Sequence, residues 1–214
     1  MSEFKIGRSS SSTGNLEPAA LALDRVLIVR DSILQWKLEG KVFYAQQGDA
    51  ATKLDFAETA YDEDQPQFAL RVPQGIICIP LVLNNEWDTV AGTGNYIVWS
   101  TTTNDIGAGT STALTPVNYR RDNLAAPACK ANSLYTGDAT AATGLIEIKR
   151  WYKPYAEAAV TDGYGNDCRF TINDPEMPIL VGPATIQLHA FGSTKLQGFG
   201  EYMWVELDAR ELAL

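Results

Sequence analysis

The chain is poor in the residues that usually carry chemistry. Its 214 residues hold one histidine, His189, and three widely separated cysteines, Cys78, Cys129 and Cys168. One imidazole cannot build a metal site of the two- or three-histidine kind. An odd cysteine count without C-x-x-C spacing fits neither a disulfide framework nor a zinc site. The three thiols read instead as small buried or half-buried groups of a protein made in a reducing cytoplasm. Basic charge is also scarce: 17 Lys and Arg stand against 26 Asp and Glu, for a net charge of -9. A duplex-binding surface needs basic groups to displace counterions, and only Arg120–Arg121 and Lys149–Arg150 are adjacent basic pairs, so nucleic acid and anionic membranes are excluded as partners. The longest apolar run, from Ile76 to Leu83, is far short of the ~20 residues that span a bilayer. Met1–Gly14 is polar and carries no charged-then-apolar leader.

What is present is an ordinary apolar content of 45%, enough for a core without disulfide or metal staples. The first 14 residues, with Ser9–Ser12, Thr13 and Gly14, read as a flexible arm. Pro18 followed by Ala19–Leu23 suits a helix start, whereas β-branched Val26–Val29 reads as a strand. Ile33, Leu34, Trp36 and Leu38 allow one or two helical turns ended by Gly40. Residues 1–23 are therefore assigned to an arm and 24–214 to the folded domain.

From Lys41 onward the pattern is strand, loop, strand. Strands are expected at Val42–Gln46, Phe68–Val72, Ile76–Leu83, Asn95–Thr101, Leu145–Trp151, Cys168–Ile172, Ala184–Phe191 and Gly200–Leu207, with a shorter apolar stretch at Ile179–Val181. Ile76–Leu83, apolar on both faces, belongs in the middle of a sheet, with Asn95–Thr101 as its antiparallel neighbour. Asn104–Pro116 reads as a long surface loop, and Val117–Tyr119 and Lys130–Tyr135 as edge strands. No long helical periodicity alternates with these strands, which excludes a parallel α/β sheet. The fold class is all-β: an antiparallel two-sheet sandwich of jelly-roll type behind an N-terminal arm.

His189 shares a strand face with Gln187 and Phe191 and reads as a half-exposed strand histidine. No G-x-S-x-G elbow is present to partner it in a nucleophilic triad. Asp162–Asp167 packs three side-chain oxygens into a glycine-rich turn, but lacks the twelfth-position Glu of an EF-hand, and Asp and Gly also suit any tight turn. Tyr61–Asp64 reads as a solvated acidic loop. Gly92–Gly94 and Gly107–Thr110 lead into no Gly-Lys-Ser/Thr and are connectors. Glu201 and Glu206 lie on opposite faces of one strand, so they are not a paired-carboxylate device. Of Trp36, Trp87, Trp99, Trp151 and Trp204, most are expected in the core. No catalytic, cofactor-binding or metal-binding residue is assigned, and the protein is read as a non-enzyme.

Three patches carry a resemblance. Trp36–Ala45 contains Gly40-Lys41-Val42-Phe43 followed by Ala45. Thr112–Asn118 closes a Gly/Ser/Thr loop with Leu114-Thr115-Pro116-Val117-Asn118. Gly182-Pro183-Ala184 and Leu188 precede a final Trp204-Val205-Glu206-Leu207. In order and spacing these patches resemble a group of small β-rich auxiliary or decoration proteins on the capsids of tailed bacteriophages. Asp208–Leu214 extends past the usual end of that group. The resemblance implies a jelly-roll fold, a homotrimer, the major capsid protein as partner and a virion location after synthesis in the host cytoplasm, with no catalytic residues to transfer. The rival expectation is a tail, baseplate or fibre module that binds host glycan, at Trp87 beside Asp88 or at Tyr164 beside Asp162 and Asp167.

Overall fold

A computed structural model of the chain describes residues 7–9, 16–18, 32–49, 52, 54–55, 60–89, 95–122, 125–153, 167–192 and 197–212. The chain forms two compact units, Met1–Gln35 and Trp36–Leu214. In the first, β1 (Gly7–Ser9) pairs antiparallel with β2 (Leu16–Pro18). Pro18 thus ends a strand. The helix start expected at Ala19–Leu23 and the strand expected at Val26–Val29 lie outside the described residues.

Helix α1 (Ser32–Leu38) stops as its sequence dictates. Gly40 takes φ +71°, its N–H donates to the Lys37 carbonyl (3.1 Å), and the Lys41 N–H donates to that of Trp36 (2.9 Å). These two bonds satisfy carbonyls that the helix end leaves orphaned, and the left-handed residue between them favours glycine.

Beyond α1 the regular structure among the described residues is strand, save one closing 3₁₀ turn: β3 (Val42–Gln47), β4 (Leu54–Asp55), β5 (Phe68–Val72), β6 (Ile76–Thr89) and β7 (Asn95–Thr102) come first. Then follow β8 (Thr110–Ala113), β9 (Val117–Asn118), β10 (Lys130–Gly137), β11 (Ile146–Lys153) and β12 (Asp167–Thr171). The chain closes with β13 (Leu180–Val181), β14 (Ala184–Phe191), β15 (Gln197–Asp208) and a 3₁₀ turn at Ala209–Leu212. Two antiparallel sheets result. The first runs β12-β6-β15-β3-β9, with β13 on β6 and β4 on β15, and the second runs β11-β7-β14-β5-β10-β8. The protein is an all-β sandwich, as the sequence indicated.

The core lies between the sheets. Phe68, Leu70, Trp99, Ile186 and Leu188 meet Phe43, Leu83, Tyr202 and Trp204, each no more than 5% exposed. Phe68 stacks on Tyr202 with ring centroids 3.6 Å apart, and Trp99 meets Tyr202 edge-on at 6.1 Å. The Tyr202 hydroxyl donates to Gln47 Oε1 and accepts from Asn85 Nδ2, both at 2.9 Å, and Gln47 Nε2 donates to the Gln67 carbonyl. A buried hydroxyl without partners would cost about 1–3 kcal/mol, and this network removes that penalty.

Four expectations need correction. Strands β6 and β7 are not neighbours: β6 is flanked by β12, β13 and β15, and β7 by β11 and β14 in the other sheet. Crossing to the opposite sheet buries β7's apolar face as well as a hairpin would, and local pattern cannot separate the two. Second, Asn104–Pro116 is not all loop, because β8 lies within it; its mostly exposed Thr-Ser-Thr-Ala run, at the edge of the sheet, gives no alternation to read. Third, β10 is an interior strand between β5 and β8. Fourth, Ile76–Leu83 continues to Thr89 through polar residues that its partner β15 pairs as far as Gln197. Pro80, which has no N–H to give, sits where the register shifts between Met203 and Trp204.

All three cysteines are buried and reduced. The Cys129 thiol is held protonated, first by its hydrogen bond with Cys78 and then by burial. Native protein should therefore resist a thiol-specific disulfide reagent, all three groups reacting only when denaturant is added. Fast stoichiometric labelling of the folded state would contradict this packing.

Candidate functional site

Parts of the three patches quoted above meet in one sheet: Val42–Ala45 on β3, Val117–Asn118 on β9 and Trp204–Leu207 on β15 are adjacent in the order β15-β3-β9. Thr112 and Ala113, on β8, and Ala184 and Leu188, on β14, lie in the other sheet. Phe43 packs on Trp204, ring centroids 6.3 Å apart. Asn118 Nδ2 donates to the Gly40 carbonyl (2.7 Å), the Tyr119 N–H to Val42 (2.8 Å), and the Glu206 N–H to Lys41 (2.9 Å). At the centre lies the Glu206 side chain, 9% exposed. Its Oε1 accepts from Trp204 Nε1 (2.8 Å) and the Cys129 N–H (3.0 Å), and its Oε2 from the Ala128 N–H (2.7 Å). Ala128 and Cys129 lead into β10, so this carboxyl group joins the two sheets. Both of its oxygens are engaged by buried donors, so it ties the framework together. Replacing it by alanine would leave two backbone N–H groups and an indole N–H unpaired, and breaking a buried polar cluster of this kind costs about 3–5 kcal/mol. Glu206→Ala should lower the urea midpoint accordingly, while an unchanged midpoint would mean that water takes over the three bonds.

The outward face of the second sheet is roofed. Ile106 packs with Ala69 and Tyr135, and Gln187, Ser100 and Thr185 are buried beneath the cover. His189 is therefore 3% exposed, where half-exposure was expected, because the neighbouring loops cover its strand face. The Tyr61 ring lies 4.9 Å from the imidazole and 5.3 Å from Phe191, which stacks on Tyr96 at 5.2 Å, and Tyr96 meets Tyr152 at 4.7 Å. His189 Nε2 has no hydrogen-bond partner. The space between it and Ala60, Tyr61, Gln65 and Gln67 admits no water. Tyr61, Asp62 and Glu63 at its rim are exposed, as expected of a solvated loop.

Burial lowers the His189 pKa to about 4, with the Asp62 carboxyl and backbone pulling slightly the other way. Between pH 6.5 and about 4 the unfolded chain then holds more protons on this residue than the folded one. Stability is complete above that window and falls through it by about 3 kcal/mol as the pH drops. Asp105, held low by its Arg71 hydrogen bond, and Asp174, held low by the Thr171 N–H, act only in stronger acid. The slope of unfolding free energy against pH in that window should vanish in His189→Asn; its persistence would assign the slope elsewhere.

Among the described residues, the outward face of the first sheet is open around Gln46, Glu86, Arg169 and Glu201, all exposed. Antiparallel register sets Arg169, Asn84, Glu201 and Gln46 side by side in one row across β12, β6, β15 and β3. The next row pairs Glu86 with Phe199. Gln46, Glu86, Phe199 and Glu201 line a groove of about 160 Å³. Asn84 Nδ2 donates to Glu86 Oε1 (3.2 Å), and the Tyr44 hydroxyl to Glu201 Oε1 (3.4 Å). Asn84 is 6% exposed, and its Oδ1 has no partner. The half-buried Phe199 ring lies against the Gly48 backbone, where φ is +78° and an added Cβ would stand 3.2 Å from the ring.

Sequence reasoning weighed Glu201 only against Glu206. It missed Glu86, whose approach to Glu201 depends on the β6–β15 register. Glu201 is exposed and Glu206 buried, on opposite faces as expected. Trp99 and Trp204 are core residues, as expected for most of the tryptophans. Asp162–Asn166 and the side chains of Trp87, Asp88 and Asp167 lie outside the described residues. Among the described residues no three acidic, histidine or cysteine side chains gather to hold a metal, and no helix is long and apolar enough to cross a membrane. Comparison with family models, curated proteins and solved structures finds no match to this chain.

Proposed function

We propose that this protein is a non-enzymatic structural component of a tailed-phage virion, a homotrimer that decorates or cements the capsid by binding the major capsid protein. The observation that supports the reading is that part of each resembling patch lies on the neighbouring strands β15, β3 and β9, close to Glu206. Winding of the jelly-roll kind belongs to the same proposal, supported by the chain's alternation between sheets through β5, β6 and β7. The acidic balance suits a protein made at high copy number, since it favours solubility and avoids capture by the packaged genome. Ile146 and Val181, on strand ends, and Ile179, just before β13, are 53–66% exposed, apolar groups that a neighbouring subunit would cover.

Quantitative mass spectrometry of purified particles tests the proposal. Hundreds of copies per particle are expected, and isolated protein should scatter light as three times 23.4 kDa. A handful of copies per particle would move the protein to the tail. Absence from particles would overturn a virion role, and a monomeric mass would overturn the trimer.

A further inference from the structure

We infer that the open outward face of the first sheet binds a saccharide, one sugar ring lying on Phe199 between Glu86 and Glu201. The inference does not depend on the virion reading, because it rests only on what β3, β6, β12 and β15 bring together.

The side chains in the two rows combine an aromatic ring with both kinds of hydrogen-bonding group. Glu86 and Glu201 accept; Arg169 donates; Gln46 does both. A sugar ring presents the same combination, with hydroxyls that donate and accept around the rim and a C–H face for the aromatic ring. A small cation would satisfy the carboxyl groups, but it would also meet the Arg169 guanidinium in the same row. An anion would meet two carboxyl groups. A flat apolar ligand would strip water from Glu86 and Glu201 without compensation. The groove's 160 Å³ lies well below the ~300–1,000 Å³ of pockets that enclose drug-sized ligands, so the ligand is held on one face and stays open to solvent on the other. That matches a ring within a longer chain, whose ends need a way out.

The side chains are held before any ligand arrives. Asn84 Nδ2 fixes Glu86, the Tyr44 hydroxyl reaches Glu201, and Gly48 allows the Phe199 ring to lie against the backbone. Such preorganisation cuts the entropy lost on binding.

Saturation-transfer NMR on the full chain would test this, using glucose, galactose, mannose, N-acetylglucosamine and their disaccharides as probes. At least one sugar should receive saturation, strongest at its ring C–H protons. Glu86→Gln and Glu201→Gln, both at exposed positions, should each weaken binding about tenfold by removing a charge-assisted hydrogen bond, with the melting temperature unchanged. Phe199→Ala should abolish binding; because it also touches the sheet, the two carboxyl variants carry the decision. Absence of transfer from every sugar would overturn the inference, as would transfer that both carboxyl variants leave intact. Competition by lysine or arginine amide for the same groove would overturn it in favour of a cation site.

Discussion

The fold depends on how one carboxyl group is satisfied. Glu206 sits on the last strand of the first sheet and holds two backbone N–H groups at the entrance to β10 in the second, together with the indole N–H of Trp204. A buried acid is costly unless its lone pairs are used, and here each oxygen has at least one donor. The same residue's backbone N–H holds the Lys41 carbonyl, so the segment after the α1 cap is fixed at the same point. From this anchor the Trp204–Phe43 and Tyr202–Phe68 contacts follow along the interior.

Polar groups elsewhere in the sandwich are handled in two ways. Tyr202 is fully buried, yet its hydroxyl both donates and accepts, and that hydrogen-bonded chain reaches the second sheet through Gln47 and the Gln67 carbonyl. On the roofed face, Gln187 and His189 are buried with unpaired atoms, and the roof above His189 leaves no space for water. The first arrangement stabilises at any ordinary pH. The second makes the fold sensitive to acid, because burial disfavours the charged imidazole.

The two outward faces of the sandwich differ for the same reason. Loops between strands cover the second sheet, so even its polar strand positions are sequestered. Among the described residues the first sheet's outer face is open around Glu86 and Glu201, and there a groove forms over Phe199 with these exposed glutamates beside it. The proposed virion role uses the framework and the acidic exterior; the proposed saccharide site uses only this open face.

The sequence by itself determined the all-β class, most strand positions, the burial of the cysteines and the helix stop at Gly40. Each of these rests on short-range physics: period-two alternation, β-branched runs and the left-handed preference of glycine. Only the tertiary structure decided which strands are neighbours, that β6 and β7 lie in different sheets, that His189 is roofed, and that Glu86 stands beside Glu201. Those outcomes depend on strand order and register between residues from tens to more than a hundred positions apart. A strand's own side chains specify which face is apolar but not which strand lies beside it, and burial of apolar area is non-directional.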